Sequence, residues 1–314
     1  MIEIDQIYNE DCLEGMKRID DASVDCVVTS PPYFVDKEYE HGTTYNEWQS
    51  LLQDFIAQSV RILKPGGFMV INIADILTFK DEQMPRFMAN NPANRKSDVT
   101  REMVLEAKTK HPEYNRDQLA LFLGCSEQTI DRRLNGNNAR GQRPVSTRVK
   151  LVGGSLEQYA YAVGLYLYDK RIWQKDPAWA NSKWTTSTLK AVSESEDIYV
   201  YWKPGEYTVN RERLTPREWK EWGLRQIWQI PSVRRNDIHP AMFPETLVQR
   251  IIRLYTDAGQ TVLDPFIGSG TTAIAAMQSG RHFLGFELNK EYFDIAQRRI
   301  DNERRQFTLD FNND

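Results

Sequence analysis

Val262-Leu263-Asp264-Pro265-Phe266-Ile267-Gly268-Ser269-Gly270-Thr271-Thr272 is the stretch that decides how this 314-residue chain is read. Thr261–Leu263 is a short apolar run of the kind that forms a buried strand. Asp264-Pro265 stops it, and Gly268 and Gly270 let the backbone bend toward a ligand without a Cβ in the way. Thr271–Gln278 then has helical composition, and His282–Phe286 is a second apolar strand that ends at Glu287. Strand, glycine turn, helix and strand make a βαβ unit, and such units build parallel sheets. An acidic residue at the end of the second strand can accept hydrogen bonds from both hydroxyls of a ribose. On geometry alone the turn also suits a dinucleotide, or a purely structural role. Two details favour a nucleoside with a sulfonium group. The third glycine that draws helix and pyrophosphate together is missing, and Asp264 is expected to face the loop, repelling a pyrophosphate and attracting a cation.

The same alternation fills the first third of the chain. Ile4–Tyr8 reads as a strand, Asp11–Ile19 as a helix, Val24–Thr29 as a strand and Trp48–Leu63 as a helix, and the Lys64-Pro65-Gly66-Gly67 turn leads into a strand over Phe68–Ile73. Thr29-Ser30-Pro31-Pro32-Tyr33 follows directly on a buried strand, at the carboxyl edge where open α/β sheets place ligands. The prolines lock φ and remove two backbone donors. Such a rigid loop suits a planar amine: the Ser30 hydroxyl and the Pro31 carbonyl can accept both N–H bonds of an exocyclic NH2, with Tyr33 stacking on the base. By themselves these residues are also compatible with a Pro-Pro turn and a packed tyrosine.

Between Arg86 and Lys150 there are 13 Lys/Arg against 7 Asp/Glu, although the whole chain carries a net charge of −4. A basic segment on an acidic body attracts phosphate, or is simply a solvated insertion. Within it Asp98–Arg140 looks helical, and Gln118–Leu134 reads as a helix-turn-helix. Ala120 permits a close helix crossing, Gly124 the turn, and Ser126 caps the second helix. Gln128, Thr129, Arg132 and Arg133 would project toward a groove or phosphates, with Arg140 beyond them. A packing or dimerisation hairpin is the alternative. The Trp173–Thr188 loop, with Lys175, Trp179, Lys183 and Trp184, is a second candidate DNA contact. Leu165–Gln174 and Asp197–Lys203 are strand-like, Phe243–Tyr255 is amphipathic, Lys290–Arg299 is a last helix, and the tail from Asp301 to Asp314 is expected to fray. Cys12, Cys26 and Cys125 show neither metal nor disulfide spacing, so no metal is expected and a reducing cytoplasm is the natural compartment. No apolar run is long enough to cross a bilayer, and Met1–Asp5 suits no signal peptide, so no membrane partner is expected.

Taken in order, these motifs resemble the amino-methyltransferases of DNA, those acting on cytosine N4 or adenine N6, in the circularly permuted β group whose catalytic motif precedes the cofactor motif. The resemblance runs from Ile7 to Ile300 apart from the basic insertion. Asn9-Glu10-Asp11-Cys12-Leu13 is similar to the motif that holds the cofactor's adenine amino group, with Glu10 where the family usually has glycine. Ser30-Pro31-Pro32-Tyr33 resembles the catalytic motif, and Leu63–Gly67 the turn before the fifth strand. His239-Pro240-Ala241-Met242-Phe243-Pro244-Glu245 is similar to the segment beside the cofactor's methionine end. Asp264, Phe266, Gly268, Ser269, Gly270, Thr271 and Glu287 match the remaining cofactor motifs.

The resemblance implies an α/β, Rossmann-like sheet of seven strands with the last antiparallel, S-adenosyl-L-methionine as cofactor, and double-stranded DNA as substrate. The methyltransferase domain would comprise residues 1–85, the catalytic half, and 151–314 with the cofactor half, around a helix-turn-helix insertion at 86–150 for target recognition. Ser30 resembles the cytosine-N4 branch, and adenine N6 is the alternative. C5-cytosine chemistry needs a cysteine nucleophile, usually after proline, and Cys12, Cys26 and Cys125 follow Asp11, Asp25 and Gly124. A cognate restriction endonuclease would be a partner where the enzyme is half of a restriction-modification system. Monomer and homodimer stay open, as do two other readings: a non-catalytic DNA-binding regulator on this scaffold, and a methyltransferase of RNA or protein.

Overall fold

The computed structural model describes residues 2–34, 43–84, 98–134, 147–177, 191–207, 209–233 and 244–311. The chain divides into two compact units, one of Met1–Phe79, Val149–Ser182 and Ala191–Asp314, the other of Lys80–Arg148 with Lys183–Lys190.

In the larger unit the elements follow as β1 (Gln6–Tyr8), α1 (Cys12–Met16), β2 (Val24–Thr29), α2 (Tyr45–Ile62) and β3 (Leu63–Ile73). α2 starts at a capping box in which Thr44 and Glu47 satisfy each other's backbone N–H groups. Its buried residues Trp48, Leu52, Phe55, Ile56, Ser59 and Ile62 recur at helical spacing, so one face packs inward. β4 (Ile76–Lys80) runs up to the second unit and pairs in a two-stranded sheet with β5 (Thr147–Lys150).

The smaller unit carries three short helices, α3 (Arg101–Lys110), α4 (Arg116–Phe122) and α5 (Glu127–Leu134), around a core of Val99, Val104, Ala107, Leu119, Ala120 and Ile130. Gly124, at φ +62°, makes the turn between α4 and α5. The Ser126 hydroxyl accepts the Thr129 N–H at 3.3 Å to cap α5.

The larger unit resumes with α6 (Gly153–Ala162), β6 (Tyr166–Gln174), β7 (Ser195–Trp202), α7 (Pro216–Glu218), β8 (Ile227–Gln229), α8 (Glu245–Tyr255), β9 (Thr261–Asp264), α9 (Thr271–Gln278), β10 (His282–Phe286) and α10 (Lys290–Phe311). Its sheet has the order β1-β10-β9-β2-β3-β7-β6-β8. The first five strands are parallel, β7 runs antiparallel to both β3 and β6, and β8 is parallel to β6. The expected seven strands therefore become eight, because Ile227–Gln229 pairs with Ile172–Gln174 outside the β6–β7 hairpin. The C-terminal tail also departs from expectation, since α10 continues through Asp301 to Phe311 instead of fraying.

Period-2 alternation assigns the two faces. Cys26, Val28, Phe68, Val70, Ile198 and Val200 share a core with residues of α8, α9 and α10. Val27, Met69, Ile71, Tyr199 and Tyr201 share another with α1, α2 and α6. Covered on both faces, the central strands carry unbroken apolar runs, Cys26–Val28, Phe68–Ile71 and Val262–Leu263.

Candidate active site

From β9 the chain continues to β10 on one side of the sheet, and from β2 to β3 on the other. Neighbouring parallel strands that lead away in opposite directions leave a crevice at their carboxyl ends, where α/β sheets bind ligands. A fully buried carboxylate closes the seam between them. Asp264, ending β9, accepts the Thr29 hydroxyl at 2.6 Å on Oδ1 and the Thr272 hydroxyl at 2.6 Å on Oδ2, and Oδ1 also accepts the Phe266 N–H at 3.1 Å. Burial lifts its pKa to about 6, against the lowering effect of the two threonines and the backbone N–H. The sequence places Asp264 facing the loop. Its carboxylate is instead turned into the protein, because three donors converge on it from β2, the loop and α9.

On the β9 side, Gly268 and Gly270 take φ of +55° and +84°, the left-handed turn that glycine permits. Glu287 braces this loop: its Oε2 accepts the Gly268 N–H at 3.0 Å and its Oε1 the Asn289 N–H at 2.8 Å. Burial raises its pKa. A carboxylate has about four lone-pair sites, so each oxygen keeps acceptor capacity for a hydroxyl. Asn9, leading out of β1, donates to the Glu287 and Leu288 carbonyls at 2.8 and 3.1 Å, which ties the next loop alongside.

In that loop Asp11 caps α1, its Oδ1 accepting Leu13 N at 2.9 Å and Glu14 N at 3.2 Å. Its Oδ2 takes no donor among the described residues. Cys12 is buried, and burial, with the Asp11 charge beside it, pushes its thiol up to about 12, so it is no ready nucleophile. Phe266 packs edge-on against Phe55 with centroids 5.3 Å apart. Ser269 and Thr271 are buried under Arg299, whose guanidinium donates to the Ser269 carbonyl at 2.6 Å and hydroxyl at 3.1 Å, the Thr271 hydroxyl at 3.4 Å and Glu245 at 2.7 Å. Pro244 is the buried N-cap residue of α8. His239 lies outside the described residues. Two acidic side chains at adjacent strand ends, both with unfilled acceptor positions, are a donor-seeking set that fits the hydroxyls and amino group of a nucleoside. Among the described residues no cluster of His, Cys, Asp and Glu could hold a metal ion.

On the β2 side the prolines set a loop whose polar groups are largely engaged. The Pro32 carbonyl accepts Trp48 Nε1 at 2.7 Å, whereas no donor among the described residues takes the carbonyl of Pro31. The Ser30 hydroxyl donates to Tyr33 Oη at 3.3 Å, and Tyr33 donates to Glu196 Oε2 at 2.6 Å. Asn72 Nδ2 reaches both Tyr33 Oη, at 3.2 Å, and Glu196 Oε2, at 2.7 Å, and Lys175 pairs with Glu196 Oε1. Asn72 Oδ1 is buried with no hydrogen-bond partner. Sequence reasoning missed Asn72 and Glu196, and Lys175, expected to contact DNA, is committed to this ion pair beside the Trp173 ring. Trp179, Lys183 and Trp184 lie outside the described residues.

Of the residues expected to touch DNA, Arg132 is exposed on α5. Arg133 is exposed beside it, with its Nε donating to the Val99 carbonyl at 2.9 Å. The Thr129 hydroxyl is shared with Ser126 at 3.1 Å. The Gln128 side chain and Arg140 lie outside the described residues.

A family model described as DNA methylase, of the N6/N4 type, matches residues 24–298. The chain is 52% identical over 295 residues to the Type II methyltransferase M.BglI of Bacillus subtilis, an alignment covering 94% of this chain and 85% of that protein. It is 26% identical over 310 residues to the Type II methyltransferase M.Cfr9I of Citrobacter freundii, covering 95% and 88%. TTHA0409 from Thermus thermophilus, described as a candidate DNA modification methylase and solved with S-adenosyl-L-methionine, superposes with a TM-score of 0.61 at 25% identity, covering 95% of this chain and 93% of that one. The cytosine-N4-specific PvuII DNA methyltransferase shares the fold, with a TM-score of 0.57 at 16% identity, covering 96% of this chain and 91% of that one.

Proposed function

Because the chain belongs to the N6/N4 DNA methylase family, we propose that it methylates the exocyclic amine of a flipped base in duplex DNA, cytosine N4 in preference to adenine N6, using S-adenosyl-L-methionine. The observation that carries this reading is the Thr29–Asp264 bond, which sets the Ser30–Tyr33 loop beside the glycine loop across the seam of the sheet. The order of the two loops along the chain is that of the β group. Asp11 would hold the cofactor's adenine amino group, Glu287 its ribose hydroxyls, and Phe266, Gly268 to Thr271 and the Pro244 segment would enclose the rest. Bound there, the cofactor supplies an electrophilic methyl group on a sulfonium.

The chain's own contribution is to orient the amine. The Ser30 oxygen and the Pro31 carbonyl accept its two N–H bonds, which fixes the plane of the amine and leaves the lone pair, perpendicular to that plane, open to the methyl group. Rigidity of the Pro31-Pro32 backbone makes this a positioning effect held before substrate arrives. Ser30 in place of an acidic or amide residue supports cytosine N4. The three-helix insertion, with Arg132 exposed on α5, would assist target recognition. The names of the Type II relatives support a place in a restriction-modification system, where a cognate endonuclease would share the target sequence.

Transfer of labelled methyl groups to duplex DNA, followed by chromatography of the digested nucleosides, tests the reading and separates N4-methylcytosine from N6-methyladenine. Ser30→Ala is expected to lower kcat about 10²–10³-fold, as loss of one preorganised hydrogen-bonding group does, with DNA and cofactor affinity retained. Transfer at the wild-type rate in that variant would remove Ser30 from the catalytic role. For the insertion, Arg132→Ala is expected to weaken DNA binding and reduce the salt slope by about 1.

A further inference from the structure

Resting on the reading just given, we propose that Glu196 is a positioning residue that fixes the direction of the hydrogen-bond chain through Tyr33, so that Ser30 meets the target amine only as an acceptor. The direction follows from the donor and acceptor inventory. A carboxylate only accepts, and a phenol has one proton and two acceptor positions. Glu196 Oε2, 2.6 Å from Tyr33 Oη, therefore takes the phenolic proton. Asn72 is oriented by the same oxygen: its Nδ2 must face Glu196, because its own carbonyl oxygen there would be repelled, and that Nδ2 also donates to Tyr33 Oη at 3.2 Å. With the phenolic proton spent on Glu196, Tyr33 can only accept from Ser30, whose hydroxyl lies 3.3 Å away. With its proton spent inward, Ser30 presents only lone pairs to the site.

A hydroxyl is otherwise ambivalent. Left alone, Ser30 could rotate and offer its proton to an incoming base, which for an NH2 group is the wrong sign. The chain from Glu196 removes that state and gives a neutral serine the acceptor-only behaviour of a carboxylate. The register explains how Glu196 reaches the loop. It lies on β7 next to Asp197, which pairs with Ile73 at the end of β3, and opposite Trp173 on β6. Glu196 is 8% exposed and Lys175 pairs with its second oxygen, at a buried position where an unpaired charge would be costly.

The experiment measures steady-state methylation of duplex DNA, cofactor affinity and melting temperature for Glu196→Gln, Tyr33→Phe and the double variant. Glutamine keeps the shape but can donate as well as accept, so the forced direction is lost. Glu196→Gln and Tyr33→Phe are each expected to lower kcat about 30–100-fold, of the order seen when one preorganised polar group is removed, with the cofactor Kd and the DNA KM within about twofold. Since Glu196 acts through Tyr33, the double variant should be no slower than Tyr33→Phe alone. Losses that multiply, or a Glu196→Gln rate within about threefold of wild type, overturn the proposal while the methyltransferase reading stands.

Should Glu196→Gln fold poorly because Lys175 is left unpaired, Lys175→Met/Glu196→Gln removes both charges and must show the same kcat deficit. Recovery of the wild-type rate in that variant would mean that Glu196 serves only to neutralise Lys175, and the proposal falls. A wild-type protein that transfers no methyl group to DNA overturns the parent reading, and this proposal with it.

Discussion

The two loops that meet at the β2–β9 seam are built by opposite means. The glycine loop is mostly self-sufficient: Asp264 bonds to Phe266 and Thr272, and Glu287 to Gly268 and Asn289, all within one βαβ unit. The proline loop borrows its order. Ser30–Tyr33 depends on Trp48 from α2, Asn72 from β3, Lys175 just past β6 and Glu196 from β7. A loop whose partners are local can be recognised from a short stretch of sequence. A loop whose partners are remote shows its reactive residues but not what makes them reactive.

The contrast predicts a double dissociation, which is the largest effect expected here. Glu287→Ala should weaken cofactor binding about 10²-fold or more, since on the proposed reading it removes charge-assisted hydrogen bonds to the ribose, each worth roughly 1.5–3 kcal/mol. The kcat at saturating cofactor should change little, the mirror image of Ser30→Ala. Calorimetric titration with the cofactor and initial rates on duplex DNA check both halves. If Glu287→Ala lost kcat at unchanged affinity, the division of labour between the loops would be wrong.

How much was legible follows from the same contrast. β2, α9 and β10 occupy the residues that their apolar runs predict, Val24–Thr29, Thr271–Gln278 and His282–Phe286. Each is bounded by proline, glycine or a charged residue and needs no distant partner to be recognised. β8 escaped because three residues carry no periodicity, and only their pairing with β6 makes them a strand. α6 escaped because it opens on Gly153-Gly154, residues of poor helix propensity, although a Cβ on Gly153 would meet the Tyr199 hydroxyl at 2.1 Å. For the site, the contiguous motifs could be picked out one by one from the sequence, but the inward turn of Asp264 could not, since its donors Thr29 and Thr272 lie on different elements. Glu196 did leave a signal. Extended back by two residues, the strand read over Asp197–Lys203 places Glu196 in phase with Ile198 and Val200, both wholly buried. A carboxylate on the inward phase of a strand is seldom idle.

Asp264 belongs to both loops at once, so titrating it strains the seam itself. Its pKa is about 6 in the folded chain, against 3.8 for an ordinary aspartate. A carboxyl raised on folding contributes stability that is fully present below the unfolded pKa and is lost as pH rises through the folded one. Between about pH 4 and pH 7 the cofactor-free protein should lose roughly 2–3 kcal/mol through this group alone. Asp264→Asn keeps the shape and cannot titrate, so the difference between its urea-unfolding curves and those of the wild type should trace that loss across the window. A difference that stays constant with pH would mean that the carboxylate is already well solvated or otherwise compensated, and that the seam is looser than its hydrogen bonds suggest.

The smallest effect tests a remote partner of the cofactor loop. Arg299, on α10, holds the Ser269 carbonyl and hydroxyl, the Thr271 hydroxyl and Glu245 at the start of α8. Arg299→Met keeps the apolar stem and deletes the donors, leaving the loop's own bonds from Asp264 and Glu287 in place. Because those local bonds define the turn, the expected cost is a rise of about 3–10-fold in the cofactor KM, the scale of one or two lost hydrogen bonds that water can partly replace, with kcat within about twofold. Steady-state kinetics at varied cofactor concentration reads this directly. A loss of cofactor binding as deep as that of Glu287→Ala would show that the glycine loop is as dependent on distant residues as the catalytic one, and the asymmetry between the two sides of the crevice would then lie only in how far apart the motifs stand in the sequence.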